Sequence, residues 1–201
     1  MAAESPFDGP GTDAPSGPIL TIGYGNERSS EQFVECLRAH AIRFLVDVRS
    51  KPFSKFRPEF SKDGLEAILR RAGLDYVFMG DCLGGLPEDP ACFTDGKVDY
   101  VKVREREWFG RGLDRLEGAW RAGRRFALMC AELEPERCHR SKLIGEALAL
   151  RGIPVEHIDA SGGLVAHRAV MDRLDGGQGM LFDVGRTSRR RYGPKAEGAA
   201  E

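Results

Sequence analysis

The chain alternates short apolar runs with helix-patterned segments, and that alternation restricts it to few folds. ILTIGYG (19–25), IRFLVDVRS (42–50), LDYVFMG (74–80), RRFALMC (124–130) and IPVEHID (153–159) are bounded by Gly, Pro or charged residues. Runs this short, rich in Val, Ile, Phe and Leu, read as strands, apolar enough to be buried on both faces. Between them, SSEQFVECLRAHA (29–41) places Phe33, Val34, Leu37 and Ala41 on one stripe behind a Ser29 or Ser30 cap. Residues 61–73 read as a helix ended by Gly73, and 100–123 as one with Phe109, Leu113, Leu116 and Trp120 at turn spacing. Residues 135–152 form a helix pattern with Pro135 near its first position and Gly152 just past its end. The alternation predicts an α/β domain: three layers, a mainly parallel five-stranded sheet, and helices on both faces.

Composition sets the boundaries. Residues 1–17 are rich in Gly, Pro, Asp and Ser and read as a disordered leader. A single α/β domain is expected over 18–175, where Leu164, His167, Met171 and Leu174 offer one last helical stripe, and 176–201 read as a flexible basic tail. Lys and Arg number 30 against 31 Asp and Glu, so net charge names no partner and any basic patch is local. No apolar run approaches the roughly 18 residues of a membrane span. The N-terminus lacks the basic start and apolar stretch of a secretory signal. The cysteines (Cys36, Cys82, Cys92, Cys130 and Cys138) are odd in number and irregularly spaced, which fits a reducing compartment better than a disulfide framework. A cytoplasmic protein without membrane contact is the expectation.

In such sheets ligands gather beyond the carboxyl ends of the strands. Those ends carry Gly23 to Asn26, Asp47 to Ser50, Gly80 and Asp81, Cys130 to Glu132, and Asp159. Asp47 and Arg49 sit two apart on a strand and point the same way. Asp47 is an acid/base candidate, or a structural carboxylate that ties down the next loop. That loop, KPFSKFRPEF (51–60), interleaves Lys51, Lys55 and Arg57 with Phe53, Phe56 and Phe60. Cations can hold phosphates and exposed rings can stack on bases; the alternative is phenylalanines anchored in the core. Exposure of the rings decides between them.

CAELEPERCHRSK (130–142) is the densest stretch. Cys130 should end a buried strand, with Cys138, His139 and Arg140 in the first turn of the following helix. Cations there oppose the helix dipole, so an anion nearby is implied, either Glu132 or Glu134 or a ligand phosphate or carboxylate. Cys138 is a candidate nucleophile, because a helix start beside His and Arg lowers a thiol's pKa; the alternative is a packed core thiol. The Cys-x7-Cys-His spacing matches no common zinc pattern, so no metal is assigned.

TIGYGN, DVRSKPFSKFRPEF, YVFMGDCLGG, LMCAELEPERCHRSKLI and VEHI followed by GGLVAHR together resemble the domain of unknown function 488 family of bacteria and archaea, over about 20–167. The resemblance implies an α/β domain. It also draws attention to Asp47, Arg49, Ser50, Arg57, Gly84, Gly85, Cys130, Glu132, Cys138, His139 and Arg140, without giving any of them a role.

In the tail, Gln178-Gly179-Met180-Leu181-Phe182 has the form Gln-x-x-Leu-Phe. It resembles the pentapeptide by which bacterial DNA polymerases and repair proteins dock on the sliding clamp, with Gln178, Leu181 and Phe182 as its fixed letters. Gly179 stands where leucine is favoured, which weakens the fit; the alternative is a latch in which Leu181 and Phe182 fold back on the domain. Arg186, Arg189, Arg190, Arg191 and Lys195 cluster around Tyr192 beyond it. The combined expectation is a nucleic-acid- or nucleotide-processing enzyme, with the sliding clamp as a candidate partner. Arg49, Ser50, Arg57 and Arg140 would hold an anion, and Asp47, Glu132 and His139 are its acid/base candidates. A thiol- or metal-dependent small-molecule enzyme and a non-catalytic binding module are the alternatives, and the sequence assigns no cofactor.

Overall fold

The computed structural model describes residues 7, 17–25, 28–174 and 187–192. The apolar run at 19–23 becomes β1 (Ile19–Gly23), buried along its whole length. Helix α1 (Ser30–Ala39) follows, opened by a capping box in which Ser29 and Gln32 exchange side-chain to backbone hydrogen bonds, a device worth about 1 kcal/mol. Then come β2 (Phe44–Asp47), α2 (Lys62–Arg71), β3 (Asp75–Phe78), α3 (Gly80–Leu83), β4 (Phe93–Thr94), β5 (Lys97–Asp99), α4 (Tyr100–Arg104) and α5 (Glu107–Arg121). The chain continues through β6 (Phe126–Cys130), α6 (Glu146–Leu150), β7 (Val155–Ile158), β8 (Leu164–Ala166), α7 (His167–Leu174) and β9 (Thr187–Arg191).

The central sheet has the order β3-β2-β6-β1-β7-β8. Its first five strands run parallel, and β8 is antiparallel to β7. The sheet therefore has six strands, not the five expected. The added one is three residues long and largely exposed, too short a run to stand out in the sequence. Strand β6 returns between β1 and β2, with Gly23 level with Cys130 and Asp47 level with Met129. The ends of β1, β2 and β6 thus meet where the connections reverse direction, the crevice in which open α/β sheets bind ligands.

Alternate residues of these strands divide between two cores. Leu20, Ile22, Leu45, Ala127 and Met129 pack with Phe33, Val34, Leu37, Leu65 and Leu69 of α1 and α2. Ile19, Phe44, Val46, Phe126 and Leu128 pack with Val103, Phe109, Leu113, Leu116 and Leu148. No helix among the described residues is long and apolar enough to cross a membrane.

Two further departures shape the site. Strands β4, β5 and β9 form a small antiparallel sheet, so residues 187–191, read as part of a flexible tail, are paired with Lys97 to Asp99. The helix read over 135–152 is interrupted. Pro135–Arg137 make one 3-10 turn, Cys138 is extended (φ −110, ψ 146), and the helix proper begins at Arg140 with a widened π-type stretch to Gly145 before α6. Proline has a fixed φ suited to a first helical position, which is why the sequence pattern starts one turn too early.

Candidate functional site

At the carboxyl ends of β2 and β6 lies a cleft of about 410 Å³. Cys130, the last residue of β6, and Cys138 and His139, from the break before α6, converge on it. His139 Nδ1 stands 3.8 Å from Cys130 Sγ and 3.7 Å from Cys138 Sγ. Its Nε2 is 3.0 Å from the carbonyl oxygen of Val48. Donation from Nε2 to that oxygen turns Nδ1 toward the two sulfurs. Gly85 backs the ring, for a Cβ there would stand 2.6 Å from His139 Cγ. Cys138 is buried and Cys130 half-buried.

The two thiols are driven apart in acidity. A hydrogen bond from Cys138 holds Cys130 well below the usual cysteine range, aided by the charge of His139 and by the Glu132 N–H, against the opposing effect of burial. Burial, with the neighbouring Cys130 sulfur, pushes Cys138 well above it. Of the two, Cys130 is the more acidic thiol; the sequence offered Cys138 as the candidate nucleophile.

Asp47 is fully buried at the end of β2. Its carboxylate accepts from the Arg49 backbone N–H (3.1 Å), from Arg49 Nε (2.9 Å) and Nη2 (2.6 Å), and from the Tyr76 hydroxyl (2.8 Å). Burial, reinforced by the charge of Asp47, pushes the Tyr76 phenol far up, so it remains a donor. Asp47 does not line the cleft, whereas Arg49, Ser50, Glu132 and His139 do. Ser50 Oγ accepts from Leu86 N at 2.9 Å. Glu132 pairs with Arg189 of β9 at 3.2 Å.

The structure places two of the anticipated anion holders away from the cleft wall. Arg57 lies over the Phe60 ring at 4.3 Å and donates to Glu59 and to the Gly25 carbonyl. Arg140 is wholly buried. Its Nη2 donates to the Leu133 carbonyl at 2.8 Å, while Nε and Nη1 have no hydrogen-bond partner among the described residues. A Cβ at Gly23 would collide with the Glu132 carbonyl oxygen and stand 2.8 Å from that Nη1, so glycine is needed where the Glu132 backbone and the guanidinium approach the end of β1.

The aromatic loop divides. Phe60 is buried, stacked on Tyr24 at 4.3 Å and edge-on to Phe33. Phe53 and Phe56 are 71% and 88% exposed, and Phe53 borders the cleft beside Lys51. Arg137, Arg189 and Arg190 line it as well, with Tyr100 and Tyr192. Tyr100 had no signal in the sequence; it enters because α4 follows directly on β5. Cys130 was legible as a strand-end thiol, but not its placement against His139. The clamp-like residues Gln178, Leu181 and Phe182 lie outside the described residues.

No curated protein and no solved structure matches the chain. Residues 29–147, more than half of the sequence, match the family described as "Domain of unknown function DUF488". That stretch contains Asp47, Arg49, Gly85, Cys130, Cys138 and His139, and the chain belongs to this family of unknown function.

Proposed function

We propose that the protein is an enzyme acting on a nucleotide or on single-stranded nucleic acid, with its reaction centre at Cys130, Cys138 and His139. The observation that carries this reading is the exposed pair Phe53 and Phe56, with Lys51 before and Lys55 between them; Phe53 and Lys51 border a cleft lined by Arg49, Arg137, Arg189 and Arg190. Exposed aromatic faces next to clustered cations suit bases and phosphates at once: the rings stack and the cations follow the backbone. Glu132 is the acid/base group inside the cleft, and Asp47 holds the Arg49 fork in position. A further part of the reading is recruitment to replication or repair through Gln178, Leu181 and Phe182, in the manner of a flexible arm offering two apolar anchors to a preformed pocket.

Fluorescence anisotropy with labelled single-stranded oligonucleotides tests the central claim. Binding should weaken steeply with salt, and Phe53→Ala combined with Phe56→Ala should reduce affinity by about tenfold or more, since stacking is worth about 1–3 kcal/mol per base. Undiminished binding by the double variant, or no binding by the parent chain at low salt, would remove the reading. Clamp pull-down with Phe182→Ala tests recruitment separately.

A further inference from the structure

We infer that Cys130 Sγ, Cys138 Sγ and His139 Nδ1 are three ligands of a zinc-type divalent cation whose fourth position opens on the cleft. The inference builds on the reaction centre assigned above and names the ion that centre would use.

The donor set is the first argument. Two thiolates and one imidazole suit zinc in charge and softness, and make a neutral site with a divalent ion. Geometry is the second. Bonds of about 2.3 Å to sulfur and about 2.0 Å to nitrogen, at a tetrahedral angle, separate sulfur from nitrogen by about 3.6 Å. The observed separations are 3.8 and 3.7 Å, and all three donor atoms lie within 4.8 Å of one another. Both sulfur–nitrogen separations thus lie within about 0.2 Å of the required one.

The third argument is the ring's other nitrogen. A metal-bound histidine commonly donates its remaining N–H to a carbonyl or carboxylate, which fixes tautomer and orientation. His139 Nε2 meets the Val48 carbonyl at 3.0 Å in this way, and Gly85 leaves no room behind the ring for it to turn away. The fourth argument is access. Among the described residues no fourth His, Cys, Asp or Glu joins the group, and both cysteines and His139 face the cleft together with Glu132. Closed sites with four protein ligands are structural, whereas three ligands and an open position are the arrangement of catalytic sites. Water or a substrate oxygen or nitrogen would take the open place, with the Glu132 carboxylate on the same wall.

The sequence argued against a metal because Cys-x7-Cys-His is not a familiar spacing. Within a helix, neighbours one apart face different directions, so Cys138 and His139 could not both be ligands there. The extended backbone of Cys138 removes that objection.

The test is metal analysis of the full chain purified under reducing conditions without chelator. About one zinc per chain is expected. Cobalt replacement should give the visible and near-ultraviolet bands of a tetrahedral thiolate site. His139→Ala, and Cys130→Ser combined with Cys138→Ser, should bring the metal content close to zero, while Cys36→Ser should retain it. If those variants fail to fold, X-ray absorption at the zinc edge of the parent protein decides, and must show two sulfur neighbours with two lighter ones. A chain that takes up no zinc on reconstitution overturns the inference. So does a Cys130–Cys138 disulfide, or a Cys130 thiol that reacts freely in the zinc-loaded protein. None of these measurements uses nucleic acid, so failure of oligonucleotide binding and failure of metal binding are separate results.

Discussion

Cys138 and His139 are adjacent in sequence, yet their Sγ and Nδ1 atoms stand 3.7 Å apart and face the same point. The backbone turns from extended at Cys138 to helical at His139, and that one change of conformation brings neighbouring side chains together. Gly85 keeps the arrangement in place. Gly85→Ala would drive a methyl group into the imidazole, and overpacking of this kind costs about 1–3 kcal/mol. The expected outcome is a modest fall in urea midpoint with a disproportionate change in thiol reactivity. In metal-stripped protein Cys130 should titrate at higher pH, because displacing His139 removes a charge and a hydrogen bond that favour the thiolate. Thiol titration against pH checks it.

Asp47 and Arg49 predict a different phenotype. Both are buried and joined by three side-chain contacts, and removing one partner of such a pair strands the other charge at about 3–5 kcal/mol. Asp47→Ala should therefore lower stability by that order in denaturant unfolding. Tyr76→Phe, which loses one hydroxyl donor to the same carboxylate, should cost only about 1–3 kcal/mol.

His157 gives the chain an acid limit. It is fully buried in β7, with Thr21 Oγ1 2.7 Å from its Nδ1 and His167 Nδ1 3.0 Å from its Nε2; His167 Nε2 in turn is 3.3 Å from Glu146. One proton order satisfies the whole chain: Thr21 to His157, His157 to His167, His167 to Glu146. Burial pushes His157 down to about 2, with the charges of His167 and Arg140 acting in the same direction. Its folded pKa lies below the unfolded value of about 6.5, so the unfolded state binds the extra proton between these limits and stability falls as pH falls through that window. Two pH units below the upper limit the loss from this group is about 3 kcal/mol. Unfolding free energy measured against pH should show this slope in the parent chain, and a flatter one in His157→Gln.

Arg189 is expected to matter for binding and little for folding. Its pair with Glu132 is half-exposed, and such pairs contribute about 0–1 kcal/mol. Arg189→Ala should leave the melting temperature nearly unchanged while weakening oligonucleotide affinity and reducing its salt dependence.

How far the sequence could be read depended on burial. β1, β2 and β6 announced themselves because both faces are covered and, apart from Asp47 at the end of β2, every position is apolar or small. β8 did not, since Leu164 and Ala166 are exposed, and β4 and β5 are two and three residues long inside a Gly- and Pro-rich stretch. Phe53, Phe56 and Phe60 have the same composition signal, yet one is in the core and two are in solvent; a residue type does not say which side of the surface it occupies. Arg140 was read as a phosphate holder from its place beside His139, but the π-type stretch turns it inward under Gly23. The cysteines were visible as residues, while their convergence depended on a break that Pro135 disguised.

The position of β9 has a consequence for relatives of this chain. The stretch shared with the family ends at 147, and it already holds Cys130, Cys138, His139 and Arg49. Arg189, Arg190 and Tyr192, which line the same cleft, are contributed some forty residues later by a strand clipped onto β5 and the residue that follows it. In the proposed reading, the reacting groups and part of the recognising surface thus belong to separable stretches of polypeptide. Exchanging residues 187–192 between relatives should redirect what enters the cleft without rebuilding the chemistry beneath it.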